Sequence, residues 1–135
     1  MLNNLNSIII EGNLTRDPQL KTIPNGSQVC SFAVASNRFY RQNDQTEKEV
    51  SFFEVDTWSK LAQTCGEVLR KGRGVRVVGR LKQDRWEDAD GKHQARIKLV
   101  AEHVEFKPVF KRDDEDGPAK PAAMVAEGAE AEAVF

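Results

Sequence analysis

Polar and apolar residues alternate with a period of two along much of this chain, the pattern of strands with one face on a core and the other in water. In Gly74-Val75-Arg76-Val77-Val78-Gly79-Arg80-Leu81-Lys82-Gln83-Asp84-Arg85-Trp86, the residues Val75, Val77, Gly79 and Leu81 form an apolar row. The other row, Arg76, Val78, Arg80, Lys82, Asp84 and Trp86, carries three cations and ends on an indole. The same alternation predicts a strand over Gln28–Asn37, with Cys30, Phe32 and Val34 inward, running into Arg38-Phe39-Tyr40-Arg41. Over Val50–Trp58 it sets Phe53, Val55 and Thr57 on one face and Phe52, Glu54, Asp56 and Trp58 on the other. His93–Phe106 reads as the last strand, with Ala95, Ile97 and Leu99 inward and Gln94, Arg96 and Lys98 outward.

Shorter segments complete the picture. The β-branched run Ser7–Leu14 predicts a strand buried on both sides, with Gly12 at a bulge or bend. Gln19–Ile23 reads as a brief strand between the turns Arg16-Asp17-Pro18 and Pro24-Asn25-Gly26. Gln42–Glu49 has no apolar residue and predicts an exposed, mobile hairpin loop. The period changes once: Leu61, Cys65, Val68 and Leu69 fall on one helical stripe, with Ser59 as N-cap and Gly72 at the C′ position. Together these elements predict an all-β fold, a small closed β-barrel with one short helix.

Beyond Lys107 the alternation dissolves, and composition explains why. Residues 1–110 hold 17 Lys/Arg against 14 Asp/Glu, whereas 111–135 hold 3 against 7 and few large apolar side chains. Such a segment buries too little to offset its ordering entropy, so the expected division is a folded domain over 1–110 and a disordered acidic tail over 111–135. Cys30 and Cys65 are far apart and in no Cys-x-x-Cys arrangement, which favours reduced, buried thiols over a disulfide framework or a zinc site. The first residues lack the cationic start and apolar run of a signal peptide, and no segment reaches membrane-spanning length, so a cytoplasmic protein without membrane contact is expected.

Enzymatic chemistry finds little support. Gly72-Arg73-Gly74 has Val77 where a dinucleotide fingerprint needs its third glycine, and there is no Gly-Lys-Ser/Thr phosphate loop. His93 and His103 have no partner at ligand spacing. Glu54 and Asp56, two apart on one face, have the spacing to hold a metal, but flanking a groove suits them better. No metal, cofactor or catalytic residue is expected. Binding gains from repetition: Tyr40 sits between Arg38 and Arg41, Phe52 and Trp58 come beside Lys60, and Trp86 follows Arg85. Rings stack on bases of any identity and cations meet phosphate, so this pairing points to a single strand of nucleic acid, DNA or RNA. The residues alone leave open half-buried strands with solvated polar faces, or an oligomeric adaptor whose rings serve a protein interface.

The sequence also resembles the bacterial-type single-stranded DNA-binding proteins, the SSB family. The likeness is carried by Ile10-Glu11-Gly12-Asn13-Leu14 before Asp17-Pro18, by Pro24-Asn25-Gly26, by Trp58-Ser59-Lys60-Leu61-Ala62, by Leu69-Arg70-Lys71-Gly72, and by Val78-Gly79-Arg80-Leu81 ahead of Trp86. It implies an OB-fold, a five-stranded Greek-key barrel, assembled as a homotetramer that coats single-stranded DNA in replication, recombination and repair. By position it places base stacking on Tyr40, Phe52, Trp58 and Trp86 and phosphate contacts on Lys60, Lys71 and Arg85. Arg38, Arg41, Arg76, Arg80, Lys82, Arg96 and Lys98 join the expected nucleic-acid-binding set from the strand pattern. The family's tail closes on adjacent aspartates and Ile-Pro-Phe, whereas this chain ends Glu130-Ala131-Glu132-Ala133-Val134-Phe135. Val134 and Phe135 are the expected contacts for replication and repair proteins.

Overall fold

Six strands and one helix form among residues 2–109, which the computed structural model describes: β1 (Ile8–Leu14), β2 (Gln19–Thr22), β3 (Gln28–Gln42), β4 (Gln45–Trp58), α1 (Ser59–Val68), β5 (Gly74–Glu87) and β6 (His93–Phe106). The tail 111–135, with Val134 and Phe135, lies outside the described residues. Neighbouring strands run in the order β1-β5-β6-β4-β3-β2. β1 pairs antiparallel with β5 through Ile9↔Val78, then crosses to β3 through Asn13↔Ala35 and Leu14↔Val34. That second pairing closes β1, β3, β4, β5 and β6 into a five-stranded barrel, with β2 laid on the outside edge of β3. Gly12 permits the crossing, because a Cβ there would stand 2.2 Å from the Ala35 carbonyl oxygen.

The inward rows supply the core. Phe32, Val34, Val55, Val75, Val77 and Leu99 are all buried in it. Each such side chain stabilises the fold by about 1.5–3 kcal/mol relative to exposure. Ala62, Cys65 and Leu69 from α1 and its C-terminal exit close one end of the barrel. Buried Thr57 satisfies its hydroxyl by donating to the Cys30 carbonyl at 3.0 Å.

Several local expectations are corrected. Gln42–Glu49 is not a loop: Asn43 (φ 53°) and Asp44 (φ 64°) make a two-residue turn, and pairing continues to Gln42↔Gln45. Two successive left-handed residues match the twist of a hairpin, and Asn and Asp tolerate that region better than most. β1 is not buried on both sides, since Ile9 is 63% exposed. Ser59 does not cap α1; it lies inside the helix at φ 57°, and Trp58 holds the N-cap position without a side-chain hydrogen bond. Gly72 is not at the helix end, which falls at Leu69; it takes φ 91° in the following turn, where its N–H donates to the Leu14 carbonyl. Ala95 and Ile97 share the inward side of β6 but are exposed, because there the β5–β6 ribbon has run past the core; Leu81, opposite buried Leu99 at the edge of the core, is also exposed.

Candidate nucleic-acid interface

Residues directly opposite one another in paired strands share a face, so the register fixes what gathers outside the barrel. On β4 the outward row is Phe52, Glu54, Asp56 and Trp58, the last two set against Ser31 and Val29 of β3. Parallel pairing Val55↔Leu99 brings Lys98 and Arg96 of β6 beside it. Lys82↔Lys98, Asp84↔Arg96 and Trp86↔Gln94 then add the outward row of β5. The wall therefore unites Phe52 (67% exposed) and Trp58 (39%) of β4 with Trp86 (44%) of β5, across the intervening β6.

Between the rings runs a chain of charges. Lys98 Nζ lies 2.6 Å from Asp56 Oδ2 and 2.9 Å from Asp84 Oδ2. Asp56 Oδ1 accepts the Ser31 hydroxyl at 2.8 Å, and Lys82 pairs with Asp84. Hydrogen bonding to Asp56 raises the Lys98 pKa against an opposing desolvation, with Asp84 adding to the rise. Asp84 is held below the usual carboxylate range, first by the Lys82 hydrogen bond and then by that of Lys98. Arg96 pairs with Glu54 at 3.7 Å and places its guanidinium 5.8 Å from the Trp86 ring centre, a cation–π contact that steadies the indole. Glu54 and Asp56 thus neutralise the wall's cations rather than bordering an open cationic groove.

The remaining expected residues are distributed around this wall. Lys60 is exposed in the first turn of α1, two residues after Trp58. Arg85 is exposed and donates to Gln83 at 3.0 Å. Arg80 pairs loosely with Glu102 at 3.9 Å. Arg76 stands ten residues before Trp86, bound to Glu11 at 2.6 Å and to Glu105 at 3.4 Å, and so does not join the rings. Lys71 follows α1 at the end of the barrel where β5 begins and β6 ends, away from Trp86, in an open depression of about 820 Å³ that Arg70, Arg73 and Lys107 also line. Arg38 lies 4.9 Å from the centre of the Tyr40 ring and pairs with Glu49 at 3.2 Å. The register sets Tyr40 opposite Glu47, on the side of the β3–β4 ribbon that faces away from Phe52. Sequence reading passed over Phe39, 64% exposed, although its odd position in the alternation, in step with Arg41 and out of step with Cys30 and Phe32, placed it on the outward row. Among the described residues, no group of three or more His, Cys, Asp or Glu side chains has metal-binding geometry, and no helix is long and apolar enough to cross a membrane.

Comparison with known proteins agrees with this architecture. Residues 5–107 match the model of the single-strand binding protein family. The chain belongs to that family. It is 37% identical over 114 residues to single-stranded DNA-binding protein 2 of Chlorobaculum tepidum, covering 83% of this chain and 77% of that one. It is 34% identical over 103 residues to the single-stranded DNA-binding protein of Treponema pallidum, covering 76% of this chain and 58% of that one. The chain thus spans little more than half the length of some curated family relatives. A structure described as the Plasmodium falciparum SSB complex with ssDNA superposes with a TM-score of 0.71 at 22% identity, over 78% of this chain and 97% of that one. The shared fold is the OB-fold barrel that the motif resemblance implied.

Proposed function

We propose that this chain is a non-catalytic, sequence-tolerant binder of single-stranded DNA that coats exposed strands during replication, recombination and repair. One observation carries the reading: Phe52, Trp58 and Trp86 are gathered, each more than a third exposed, on one wall of a family barrel. Large rings left in water on one face of a sheet need a flat apolar partner, and an unpaired base offers one whatever its identity. Each stack contributes about 1–3 kcal/mol, so a few stacks with phosphate pairing give tight binding. Duplex DNA hides those base faces, which makes the strand state the discriminating variable.

The finer assignments follow the same reading. Tyr40, Phe52, Trp58 and Trp86 stack, while Lys60, Lys71, Arg85 and the strand cations meet phosphate. The working unit is a homotetramer in the cytoplasm, associated with the nucleoid; exposed Ile9 beside Val78 on the outer side of β1 is the kind of apolar surface a second copy covers. Val134 and Phe135 recruit replication and repair proteins. The test is binding of oligo-dT and of a duplex of equal length over a salt series. Oligo-dT is retained, the duplex is not, and affinity falls as salt rises. Trp86→Ala weakens oligo-dT binding by about 1–3 kcal/mol without unfolding the barrel. Equal retention of duplex, or a Trp86→Ala variant with parental affinity, would refute the reading.

A further inference from the structure

The β3–β4 ribbon continues past the barrel, and its two faces differ in charge. Opposed pairs Asn37↔Val50, Phe39↔Lys48 and Arg41↔Thr46 place Phe39, Arg41, Lys48 and Val50 on the side shared with Phe52. Among the described residues, that side of the ribbon between Asn37 and Val50 holds two cations and no carboxylate. Opposed pairs Arg38↔Glu49 and Tyr40↔Glu47 place both glutamates on the other side, with Arg38 already bound to Glu49. Among the described residues Arg41 and Lys48 form no ion pair, in contrast to Lys82, Arg96 and Lys98 on the wall. Phe39 is 64% exposed, close to the 67% of Phe52, and Val50 fills the interval between them at 38%.

We propose that Phe39, with Arg41 and Lys48, extends the single-strand-binding wall along the arm of the β3–β4 ribbon as a further base-stacking position. The inference rests on the reading of the wall as a nucleic-acid interface. Phe39 lies four residue steps from Ala35, the partner of Phe52. At about 3.3 Å per residue the two rings are offset by about 13 Å along the ribbon, so a strand crossing Phe52 reaches Phe39 without leaving that side. An exposed ring flanked by two unopposed cations offers one base a stacking face and the adjoining phosphates two counterions. Tyr40 stands on the reverse side, opposite Glu47 and beneath the Arg38 guanidinium, so its stacking would be separate from that of Phe39.

The experiment is fluorescence anisotropy of a long dT oligomer at low salt with the full-length chain and its Phe39→Ala, Phe39→Trp and Trp86→Ala variants. Phe39→Ala is expected to weaken binding at least about fivefold with an unchanged melting temperature, the least that one lost stack predicts. Phe39→Trp is expected to keep parental affinity and to add fluorescence quenching on binding beyond that of Trp58 and Trp86. Parental affinity in Phe39→Ala alongside weakening in Trp86→Ala would overturn this inference and leave the wall intact. A Phe39→Ala variant that changes subunit association in sedimentation but binds dT like the parent would assign the ring to a protein contact and overturn it too. Absence of dT binding by the parent chain would overturn both readings.

Discussion

Replacing Lys98 by methionine removes the ammonium at the centre of the wall while keeping most of the side-chain volume. Its side chain is 21% exposed, and its partners Asp56 and Asp84 are 13% and 33% exposed. Removing one partner of a fully buried pair costs about 3–5 kcal/mol, and a hydrogen bond to a charged group is worth about 1.5–3 kcal/mol. Partial solvent access screens the pair, so the lower end applies and Lys98→Met is expected to cost about 2 kcal/mol. Urea unfolding at one fixed protein concentration measures it, as a lower midpoint with an unchanged slope. Asp56→Asn also destabilises, but the double variant costs less than the two changes summed, by about 1 kcal/mol or more, because it no longer leaves a half-buried carboxylate alone. The native Lys98 pKa is raised, so the stabilisation is complete below the ordinary lysine value near 10.5 and is lost as the pH rises through the raised value. Lys98→Met within about 0.5 kcal/mol of the parent at pH 7, or strict additivity with Asp56→Asn, would refute the picture of a connected charge chain.

Two further predictions test the body of the fold. Burial pushes the Cys65 thiol up to about 12, so a thiol reagent at pH 8 should label Cys65 only after unfolding; rapid labelling of the native protein would show that α1 does not seal the barrel end. Gly12→Ala drives a methyl to 2.2 Å from the Ala35 carbonyl oxygen and 2.7 Å from Val34 Cγ1, so it should cost about 3 kcal/mol in thermal or urea unfolding, and a neutral result would mean that β1 need not cross so close to β3.

The barrel was legible in the chain because its strands alternate faithfully: Val75 and Val77, Phe32 and Val34, Phe53 and Val55 all lie on the side their spacing demands. What failed was the assumption that apolar content marks the strand. Gln42–Glu49 has none, yet pairs on both sides of the Asn43–Asp44 turn, since a ribbon beyond the core is held by backbone hydrogen bonds and by that turn rather than by burial. The converse error put Ile97 inside: its parity is right, but no core lies beneath that part of the ribbon. In the site, strand parity located Phe52, Trp58 and Trp86, whereas the pairing of Lys98 with Asp56 and Asp84 depends on which strands adjoin, and a single strand's alternation does not contain that. Arg76 shares the parity of Trp86, yet distance along the strand and the crossing of β1 give it to Glu11.

Division of labour on the surface follows from these pairings. A phosphate arriving at Lys82, Arg96 or Lys98 meets a cation whose carboxylate is already in place, and displacing Asp84, Glu54 or Asp56 would leave that carboxylate unpaired beside the strand. The exchange trades one ion pair for another and sets two anions together, so its net contribution is small. Without those carboxylates, however, Lys82, Arg96 and Lys98 would repel one another around Trp86. The acids let cations pack closely enough to order the wall, and Arg96 in turn orients the indole. The wall is therefore suited to stacking more than to charge, and on the proposed reading the strongest phosphate pairing falls to cations that form no ion pair among the described residues, such as Arg41, Lys48, Lys60 and Arg85, which stand on the ribbons and at the start of α1. An arrangement of this kind grips bases at fixed places and phosphates at the margins, which tolerates any sequence while still requiring that the bases be unpaired.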